Sequence, residues 1–317
     1  MSGQFGHDDW AIILGGSSGF GLATARRLAR AGMSVCIVHR DRRGAMSRIE
    51  PEFEKIREGA TGLITFNADA LDPEKRTAIL EEFAAAAGTG RVRVLLHSIA
   101  FGNLKLVARE KARPGRHGSA AAALAAELGV DERRVSEAVE RLFGEGRDEL
   151  HTIAAPPEYS ASAFLDRDDL DRTIYSMGTS LLDWTRAILE RGLFADDARV
   201  LGLTSEGNTV AWKGYAAVAA AKVALESIAR AIAVELAPYG IRCNVVQAGV
   251  TETAALAAIP GSAHLKAQAR LRNPFGRLTT PEDVADVIYL LSRKEAAWIN
   301  GEIIRVDGGE HVSGALA

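Results

Sequence analysis

Short apolar runs alternate with amphipathic segments along the chain. The first run, residues 10–14, ends at a cluster of glycines, and the segment 20–31 that follows has apolar residues at helical spacing. A short, continuous apolar run is typical of a strand that is buried on both faces. The pattern therefore predicts a buried strand, a tight turn and a helix, in that order.

The same alternation continues to the end of the chain. More strands are predicted at residues 34–38, 63–66, 92–97, 200–204, 242–246 and 302–306. Helices are predicted near residues 45–58, 73–86, 170–191 and 213–237, and after Pro281. Strands that alternate with helices of this length indicate parallel βαβ units. The predicted fold class is therefore α/β, with a Rossmann-type doubly wound parallel sheet in a single domain over residues 1–317.

Residues 104–165 do not share this pattern. The stretch includes a basic segment, residues 109–116, and then two predicted helices, at residues 119–128 and 131–143. A connection of this length is unusual inside a compact α/β domain. We therefore interpret residues 104–165 as a helical insertion into the domain.

Composition excludes several classes of protein. The 317 residues are 47% hydrophobic and 25% charged with a formal net charge of -3, so no basic field is available for nucleic acid or an acidic membrane. Cys36 and Cys243 lie inside apolar runs, and neither a disulfide framework nor a metal site is expected. We recognise no signal peptide and no membrane-spanning run, and we expect a cytoplasmic protein.

A glycine-rich turn joins the first predicted strand to the first helix. Residues without a Cβ atom let main-chain N–H groups approach a pyrophosphate, and the helix N-terminus offers it partial positive charge. An ordinary tight turn is the alternative, but its place at the start of a βαβ unit favours dinucleotide binding. The candidate cofactor-binding residues here are Gly15, Ser17, Ser18, Gly19, Phe20 and Gly21.

The glycine spacing, Gly15-x-x-x-Gly19-x-Gly21, resembles that of the short-chain dehydrogenase/reductase family. The resemblance extends over nearly the whole chain outside the insertion, although Leu14 stands where the family usually has threonine. It implies a nicotinamide dinucleotide as the cofactor.

The end of the fourth predicted strand narrows the resemblance. It reads HSIAF, residues 97–101, where most members have Asn-Asn-Ala-Gly, and it looks like the divergent branch of enoyl-acyl-carrier-protein reductases. The resemblance implies that Ser98, Ile99 and Ala100 border the cofactor. His97 alone is more typical of a satisfied core histidine, and we assign it no chemistry.

The residues after the second and third strands bear on the choice of cofactor. An acidic side chain after the second strand would accept from a ribose 2'-hydroxyl, whereas arginine would bind a 2'-phosphate. Arg40 occupies the place of arginine in NADP-using relatives, and the alternative has Asp41 facing the ribose. We expect NADPH and regard NADH as less favoured. Asp69-Ala70 resembles the family's Asp-Val pair, whose carboxylate accepts from the adenine amino group; an ordinary turn aspartate is the alternative.

Tyr215 and Lys222 are the candidate catalytic pair. Classical members of the family have tyrosine four residues before lysine, where this chain has Val218, whereas Tyr215 stands seven residues before Lys222. The Tyr-x6-Lys arrangement resembles that of the enoyl reductases. Seven residues are nearly two helical turns, so we expect both side chains on one face of the predicted helix.

This spacing suits reduction of the carbon–carbon double bond of an α,β-unsaturated acyl thioester. Hydride goes to the β carbon while negative charge develops on the carbonyl oxygen, which lies further away than the oxygen does in ketone reduction. In this interpretation the Tyr215 hydroxyl stabilises the enolate oxygen. Lys222 holds the nicotinamide ribose hydroxyls, and its charge favours the enolate.

Ser205 stands 17 residues before Lys222, at the end of a predicted strand. Classical reductases have their catalytic serine there, and many enoyl reductases have a second tyrosine. Ser205 either polarises the substrate carbonyl or only caps the strand end.

Residues 241–253 resemble the family segment whose main chain binds the nicotinamide carboxamide and whose threonine reaches the cofactor phosphates. The resemblance implies contacts from Val250 and Thr253. Residues 254–275 resemble the mobile loop that closes over an acyl chain. Its cations Lys266, Arg270 and Arg272 either contact coenzyme A phosphates or an acidic carrier protein, or form a solvated face.

The leading hypothesis is an NADPH-dependent enoyl reductase whose substrate is carried by acyl carrier protein or coenzyme A. One alternative is a carbonyl reductase of ketoacyl or polyketide-like thioesters, which Ser205 favours and Val218 disfavours. The other is an NADP-binding sensor without turnover. The family resemblance alone implies a homo-oligomer, either a tetramer or a dimer. We expect the insertion to cap the substrate site or to line a subunit contact.

Overall fold

The computed structural model describes residues 5, 6, 8–111, 116–159 and 163–314, without the side chains of residues 116–119. Its centre is a seven-stranded sheet in the order β3-β2-β1-β4-β5-β6-β7, with every neighbouring pair parallel. The strands are β1 Asp9–Leu14, β2 Ser34–His39, β3 Leu63–Asn67, β4 Arg91–His97, β5 Phe194–Ser205, β6 Ile241–Ala248 and β7 Ile303–Val306. The Rossmann-type doubly wound sheet is therefore confirmed.

Most helices correspond to the segments predicted from the sequence. The helices are α1 Gly19–Arg30, α2 Met46–Gly59, α3 Pro73–Ala87, α4 Arg116–Leu128, α5 Glu132–Gly144, α6 Arg167–Ile174, α7 Ser180–Glu190, α8 Ala216–Glu235, α9 Ala254–Ala257, α10 Ser262–Arg272 and α11 Pro281–Ser292. Two of them, α9 and α10, lie in residues 254–275, which the sequence resemblance gave as a loop.

Apolar side chains cover both faces of the sheet. In β1, Ile12 and Leu14 pack into one apolar layer with Trp184, whereas Ile13 packs into the opposite layer with Leu28. Successive side chains of a strand point to opposite faces, so both sets must be apolar when both faces are covered. This explains why the strand forms a continuous apolar run in the sequence.

The helix predicted at residues 170–191 is divided in two. A π-helical turn, Tyr175–Thr179, separates α6 from α7. Gly178 brings this turn close to α8, since a Cβ atom at that position would lie 2.6 Å from the Ala221 carbonyl oxygen. Close packing against α8 therefore accompanies the irregular turn.

The helix predicted at residues 213–237 begins later than expected. Gly214 has a φ of +72°, a conformation that is costly for other residues, and α8 starts at Ala216 with Tyr215 as its N-cap residue. Tyr215 thus stands at the start of α8 rather than inside it, and the shared helix face of Tyr215 and Lys222 stays a prediction. The side chain of Tyr215 reaches the site from the N-terminal end of α8.

The insertion contains the two predicted helices, α4 and α5, followed by a 3-10 turn at Asp148–Thr152. Residues 112–115, in the basic segment, lie outside the described residues. The two ends of the insertion meet, because Leu106 forms an isolated parallel bridge with Phe164 and the Leu165 N–H donates to the Leu106 carbonyl at 2.8 Å. The chain thus leaves and re-enters the domain at one place.

Candidate active site

Two adjoining cavities lie at the carboxyl ends of the strands, where the strand order reverses between β1 and β4. The large cavity, about 470 Å³, extends from the glycine turn to the end of β2. The small cavity, about 260 Å³, lies against the ends of β5 and β6 and the entrance of α8. Both are lined by Phe20, Ser98, Ile99, Ala100, Thr253, Ala255 and Ala258. The switch point of such a sheet is the usual place for a ligand.

The predicted site residues come together at these cavities. The large cavity is lined by Gly15, Ser17, Ser18, Gly19, Phe20, Arg40, Asp69, Ala70, Ser98, Ile99, Ala100 and Thr253. The small cavity adds Ser205, Tyr215, Lys222 and Val250. Gly21 lines neither, and its role is to let the turn close, since a Cβ atom there would lie 2.2 Å from the Gly15 carbonyl oxygen.

The glycine turn is shaped for close approach of a ligand. Gly15 has a φ of +83°, and a Cβ atom there would lie 2.5 Å from the Ser98 carbonyl oxygen. Within the described residues, no side chain caps the N-terminus of α1 at Ser18. Main-chain donors and the positive end of the helix dipole are thus left for an anionic group.

Arg40 and Asp69 bind each other at the far end of the large cavity. The Arg40 Nη1 donates to Asp69 Oδ2 at 2.6 Å, and its guanidinium carbon lies 4.6 Å from the ring centroid of Phe101. The two side chains are 49% and 37% exposed. Exposed pairs contribute little free energy, so an anionic ligand group can replace Asp69 as the partner of Arg40.

Asp41, next to Arg40, also lines the large cavity, but its carboxylate is bonded inside the protein. Its Oδ2 lies 2.9 Å from Nδ1 of the buried His39. The Asn67 side-chain amide fixes the main chain of Asp41 from both sides, accepting from its N–H at 3.0 Å and donating to its carbonyl at 3.1 Å. The carboxylate of Asp41 thus has an internal partner.

Tyr215 and Ser205 converge in the small cavity from two different elements. The phenolic oxygen lies 3.3 Å from the Ser205 hydroxyl oxygen. Gly207 leaves room for the ring, because a Cβ atom there would lie 2.4 Å from Tyr215 Cε1. Burial raises the pKa of the phenol, and the Ser205 hydroxyl opposes this shift. The phenol therefore keeps its proton at neutral pH and can donate it in a hydrogen bond.

Lys222 is buried further along α8, nearly two helical turns after the tyrosine. Its Nζ donates to the Leu203 carbonyl at 2.8 Å. Burial lowers the pKa of Lys222 to about 8, and the charge of Glu226 acts in the opposite direction. Glu226 in turn accepts from Thr204 Oγ1 at 2.5 Å and from Asn208 Nδ2 at 2.6 Å. An ammonium group has three donors, so Lys222 can bind ligand hydroxyls while keeping its contact with Leu203.

His97 is a buried neighbour of this site. Its Nε2 lies 2.8 Å from Ser180 Oγ, and burial together with the charge of Lys222 lowers its pKa to about 3. His97 is therefore neutral at physiological pH, as expected for a core histidine.

Val250 lines the small cavity, but its main chain is already hydrogen-bonded. The N–H donates to Glu310 Oε2 at 3.2 Å and the carbonyl accepts from the Thr279 N–H at 3.2 Å. A carbonyl oxygen has two lone pairs, so a contact of the Val250 main chain with the carboxamide stays a prediction. The neighbouring Thr251 also lines the cavity, and the sequence analysis missed it. Thr253 caps α9 through its hydroxyl, which accepts from the Leu256 N–H at 3.2 Å.

The sequence analysis also missed an ionic network below the small cavity. Arg272 donates to both Glu206 oxygens, at 2.8 and 2.5 Å, and to Glu310 Oε1 at 2.9 Å. Glu206 follows Ser205 directly and lines the cavity, while Glu310 is only 1% exposed. Through Arg272, the network thus links the C-terminal end of α10 to Glu206, which follows β5, and to Glu310, which follows β7.

The other wall of the small cavity is apolar. Its apolar side chains are Leu104, Met177, Trp212, Val218, Leu256, Ile259 and Leu265. Val218, at the classical tyrosine position, therefore brings no hydroxyl into the cavity. An apolar wall opposite a few polar groups is typical of a small-molecule site.

The cations of segment 254–275 are bound internally. Lys266 pairs with Glu252 at 2.9 Å, Arg270 with Asp148 at 2.5 Å, and Arg272 with Glu206. Each of the three cations therefore has a carboxylate partner within the chain, and a contact with carrier phosphates or an acidic carrier protein stays a prediction.

No group of three or more histidine, cysteine or carboxylate side chains able to hold a metal ion is present in the described residues. None of the helices in the described part of the chain has the length and apolar character needed to span a membrane.

Family models match the chain in two parts. Residues 119–311 match the model described as Enoyl-(Acyl carrier protein) reductase, and residues 9–113 match the model described as short chain dehydrogenase. The chain therefore belongs to the short-chain dehydrogenase/reductase family, a family of oxidoreductases that bind a nicotinamide cofactor.

Individual relatives differ in their activity. The enoyl-(acyl-carrier-protein) reductase (NADH) FabI of Aquifex aeolicus (strain VF5) is 30% identical over 196 residues, covering 60% of this chain and 71% of the relative. The cis-4-hydroxycyclohexanecarboxylate dehydrogenase of Sinomonas cyclohexanicum is 26% identical over 301 residues, covering 94% of this chain and 95% of the relative.

The solved structure of the enoyl-(acyl-carrier-protein) reductase (NADH) from Aquifex aeolicus VF5 has the same fold. It matches with a TM-score of 0.70 at 21% identity, covering 98% of this chain and 100% of the other.

Proposed function

We propose that this protein is an NADPH-dependent enoyl thioester reductase. The observation that carries the proposal is the placement of Tyr215 and Lys222 in one cavity with an apolar wall, directly beside the large cavity at the glycine turn. Val218 puts no hydroxyl at the classical position, so the donor is Tyr215. A donor displaced from the classical position suits an oxygen that is remote from the carbon receiving hydride.

The glycine turn and the N-terminus of α1 fit a nicotinamide dinucleotide. Gly15 and Gly21 have no space for a Cβ atom, and the open N-terminus of α1 suits the pyrophosphate. When bound, NADPH supplies the hydride that goes to the β carbon of the enoyl group. Lys222 is placed to hold the ribose hydroxyls of the nicotinamide half.

Tyr215 acts on the thioester carbonyl. Negative charge develops on this oxygen during reduction, and the protonated phenol donates a hydrogen bond to it. Burial of the small cavity strengthens this interaction, because charge and dipole attract more strongly when water is excluded. The positive charge of Lys222 favours the enolate further.

The position of Arg40 supports NADPH over NADH as the cofactor. Arg40 lies at the far end of the large cavity in an exposed pair that a phosphate can replace, and Asp41 is engaged by His39. The name of the Aquifex relative specifies NADH, so both cofactors must be compared.

Carbonyl reduction is the second candidate, and one observation favours it. Ser205 stands 3.3 Å from Tyr215, the kind of hydroxyl pair that can bind a ketone oxygen. The relative matching 94% of the chain is named as a dehydrogenase of a hydroxy acid. An NADP-binding sensor without turnover is the third outcome of the test.

The test follows NADPH oxidation with crotonyl-CoA and, separately, with acetoacetyl-CoA. Reduction of crotonyl-CoA is expected, and Tyr215→Phe serves as the control for enzyme-dependent turnover. Reduction of acetoacetyl-CoA alone overturns the proposal in favour of carbonyl reduction. Tight NADPH binding without either reaction favours the sensor.

The partners follow from the reaction proposed. The substrate is an acyl thioester on acyl carrier protein or coenzyme A, and its acyl part would lie against the apolar wall of the small cavity. We further propose a homo-oligomer, a tetramer or a dimer, that acts in the cytoplasm. Neither nucleic acid nor a membrane is part of the proposed function.

A further inference from the structure

We propose that the described part of the insertion, residues 104–111, 116–159 and 163–165, braces the two walls of the small cavity, and that Asp148 is the positioning residue that holds α10. The first wall is the segment 206–215 after β5, which lines the cavity with Glu206, Trp212 and Tyr215. The second wall is the segment 253–265, which includes Leu265 of α10. The inference rests on the proposed function only for the choice of substrate.

The insertion contacts the second wall through a bidentate ion pair. Asp148 accepts from Arg270 Nε at 2.5 Å and from Arg270 Nη2 at 2.6 Å, across 122 residues of sequence. The two side chains are 14% and 31% exposed. Bidentate pairs of arginine and carboxylate fix direction as well as distance, so this pair sets the orientation of α10.

Two packing contacts accompany this pair. The ring centroids of Phe143 and His264 lie 4.9 Å apart. Pro157 lies against Gly261, where a Cβ atom would come within 2.8 Å of the proline Cγ. The insertion therefore contacts α10 at its N-terminal end, through Gly261 and His264, and near its C-terminal end, through Arg270.

The insertion contacts the first wall through Lys213. Its Nζ pairs with Glu110 and lies 5.8 Å from the ring centroid of Tyr159. Lys213 is the residue after Trp212, whose side chain lines the cavity. Both walls, which are far apart in sequence, thus share one bracing element.

The two contacts differ in strength. Lys213 and Glu110 are 67% and 42% exposed, and exposed pairs contribute little free energy. Asp148 and Arg270 are partly buried and joined by two charge-assisted hydrogen bonds, which are stronger. The Asp148 contact therefore contributes more to the position of the walls.

Asp148 itself stands on a supported element. It begins the 3-10 turn, and its carbonyl oxygen lies 2.9 Å from His151 Nδ1. Glu140 of α5 accepts from the Ala155 N–H at 2.5 Å on the far side of this turn. The carboxylate is thus held by a folded unit and can transmit the position of α5 to α10.

This arrangement predicts a defect in substrate binding when the pair is removed. Asp148→Asn keeps the size of the side chain and removes its charge. We expect the KM for crotonyl-CoA to rise about tenfold, equivalent to about 1.4 kcal/mol. We expect kcat and the Kd for NADPH to change by less than about threefold, since Asp148 touches neither the hydroxyl donors nor the large cavity.

Two further variants control the experiment. Glu137→Gln removes an exposed carboxylate of α5 that pairs with Arg133, and it should leave all three constants unchanged. The double exchange Asp148→Arg with Arg270→Asp restores an ion pair with its charges reversed. It should bring the raised KM for crotonyl-CoA part of the way back to the wild-type value. Thermal unfolding of each variant identifies any general loss of folding.

Amide hydrogen exchange gives a readout independent of turnover. Asp148→Asn should speed exchange in residues 262–272, whereas Glu137→Gln should not. Unchanged exchange together with unchanged KM overturns the brace, as does an equal loss of NADPH affinity. If the wild-type protein does not reduce crotonyl-CoA, the proposed function fails, while the exchange measurement still decides the brace.

Discussion

The phenolic oxygen of Tyr215 lies 3.3 Å from the hydroxyl oxygen of Ser205, at the meeting point of β5 and the entrance of α8. Gly207 leaves the space that the ring occupies. Two hydroxyl groups from separate elements therefore converge on the wall of the small cavity. This pair can bind one substrate oxygen, and the contribution of each member depends on the reaction.

Replacing Tyr215 by phenylalanine tests the oxyanion role. The change removes the donor and keeps the ring against Gly207, so we expect kcat to fall about 10²- to 10³-fold, as for loss of an oxyanion-hole donor. NADPH affinity should stay nearly unchanged, which a fluorescence titration measures alongside steady-state kinetics. A parallel loss of cofactor binding would contradict the role.

Replacing Ser205 by alanine separates the two candidate reactions. In enoyl reduction Tyr215 is the main donor, so we expect kcat to fall by less than about tenfold. In carbonyl reduction the serine is an equal partner, and its loss should match that of Tyr215→Phe. The measurement is kcat for both variants on the same substrate. Equal losses on crotonyl-CoA would argue against the assignment of Tyr215 as the main donor.

The lowered pKa of Lys222 predicts a pH profile. Burial places this pKa at about 8, so the ammonium form is present below that pH and is lost as the pH rises through it. We expect kcat/KM for NADPH, which reports the free enzyme, to be level near neutral pH and to decline above about pH 8. The pKa of Tyr215 is raised above its ordinary value, so Tyr215 does not account for this declining limb of the pH profile.

Glu226 provides the matched control for this profile. Its negative charge raises the pKa of Lys222, and Glu226→Gln keeps an acceptor for Thr204 while removing that charge. The declining limb should therefore move to lower pH in the variant. A limb that stays in place, or moves to higher pH, would show that another group controls the profile.

The fold could be predicted from the sequence because it depends on local and periodic signals. The apolar runs of the buried strands and the glycine turn at Gly15 and Gly21 lie in single short segments. The structure begins α8 at Ala216, later than predicted, because the alanine-rich sequence carries no clear signal for the start of a helix. The positive φ of Gly214 decides where the helix begins.

The ionic parts of the site could not be predicted in the same way. Arg272 meets Glu206 across 66 residues and Glu310 across 38, and no periodic pattern relates such positions. Asp148 and Arg270 pair across 122 residues. These contacts depend on how the insertion and α10 pack on the domain, which is a property of the tertiary structure.

Arg40 and Asp69 predict opposite effects on cofactor binding. Arg40→Ala removes the cation for the 2'-phosphate, so NADPH affinity should fall about tenfold or more while NADH affinity changes little. Asp69→Asn keeps an oxygen that can accept from the adenine amino group but removes the charge that competes for Arg40, so it should strengthen NADPH binding modestly. Titrations of both variants with both cofactors check the pair of predictions. Similar losses for NADPH and NADH in Arg40→Ala would refute the phosphate contact.

His39 predicts a change of cofactor selectivity. Its Nδ1 lies 2.9 Å from Asp41 Oδ2, and its ring packs edge-on to Phe53 with centroids 5.3 Å apart. His39→Phe keeps an aromatic ring against Phe53 but leaves the Asp41 carboxylate without this partner. Because Asp41 already lines the large cavity and a carboxylate without a partner is costly to bury, the freed carboxylate should accept from ribose hydroxyls there and repel a 2'-phosphate. The ratio of kcat/KM for NADH to that for NADPH should therefore rise, and adding Asp41→Asn should return it towards the wild-type value. A ratio unchanged by His39→Phe would mean that Asp41 plays no part in selectivity.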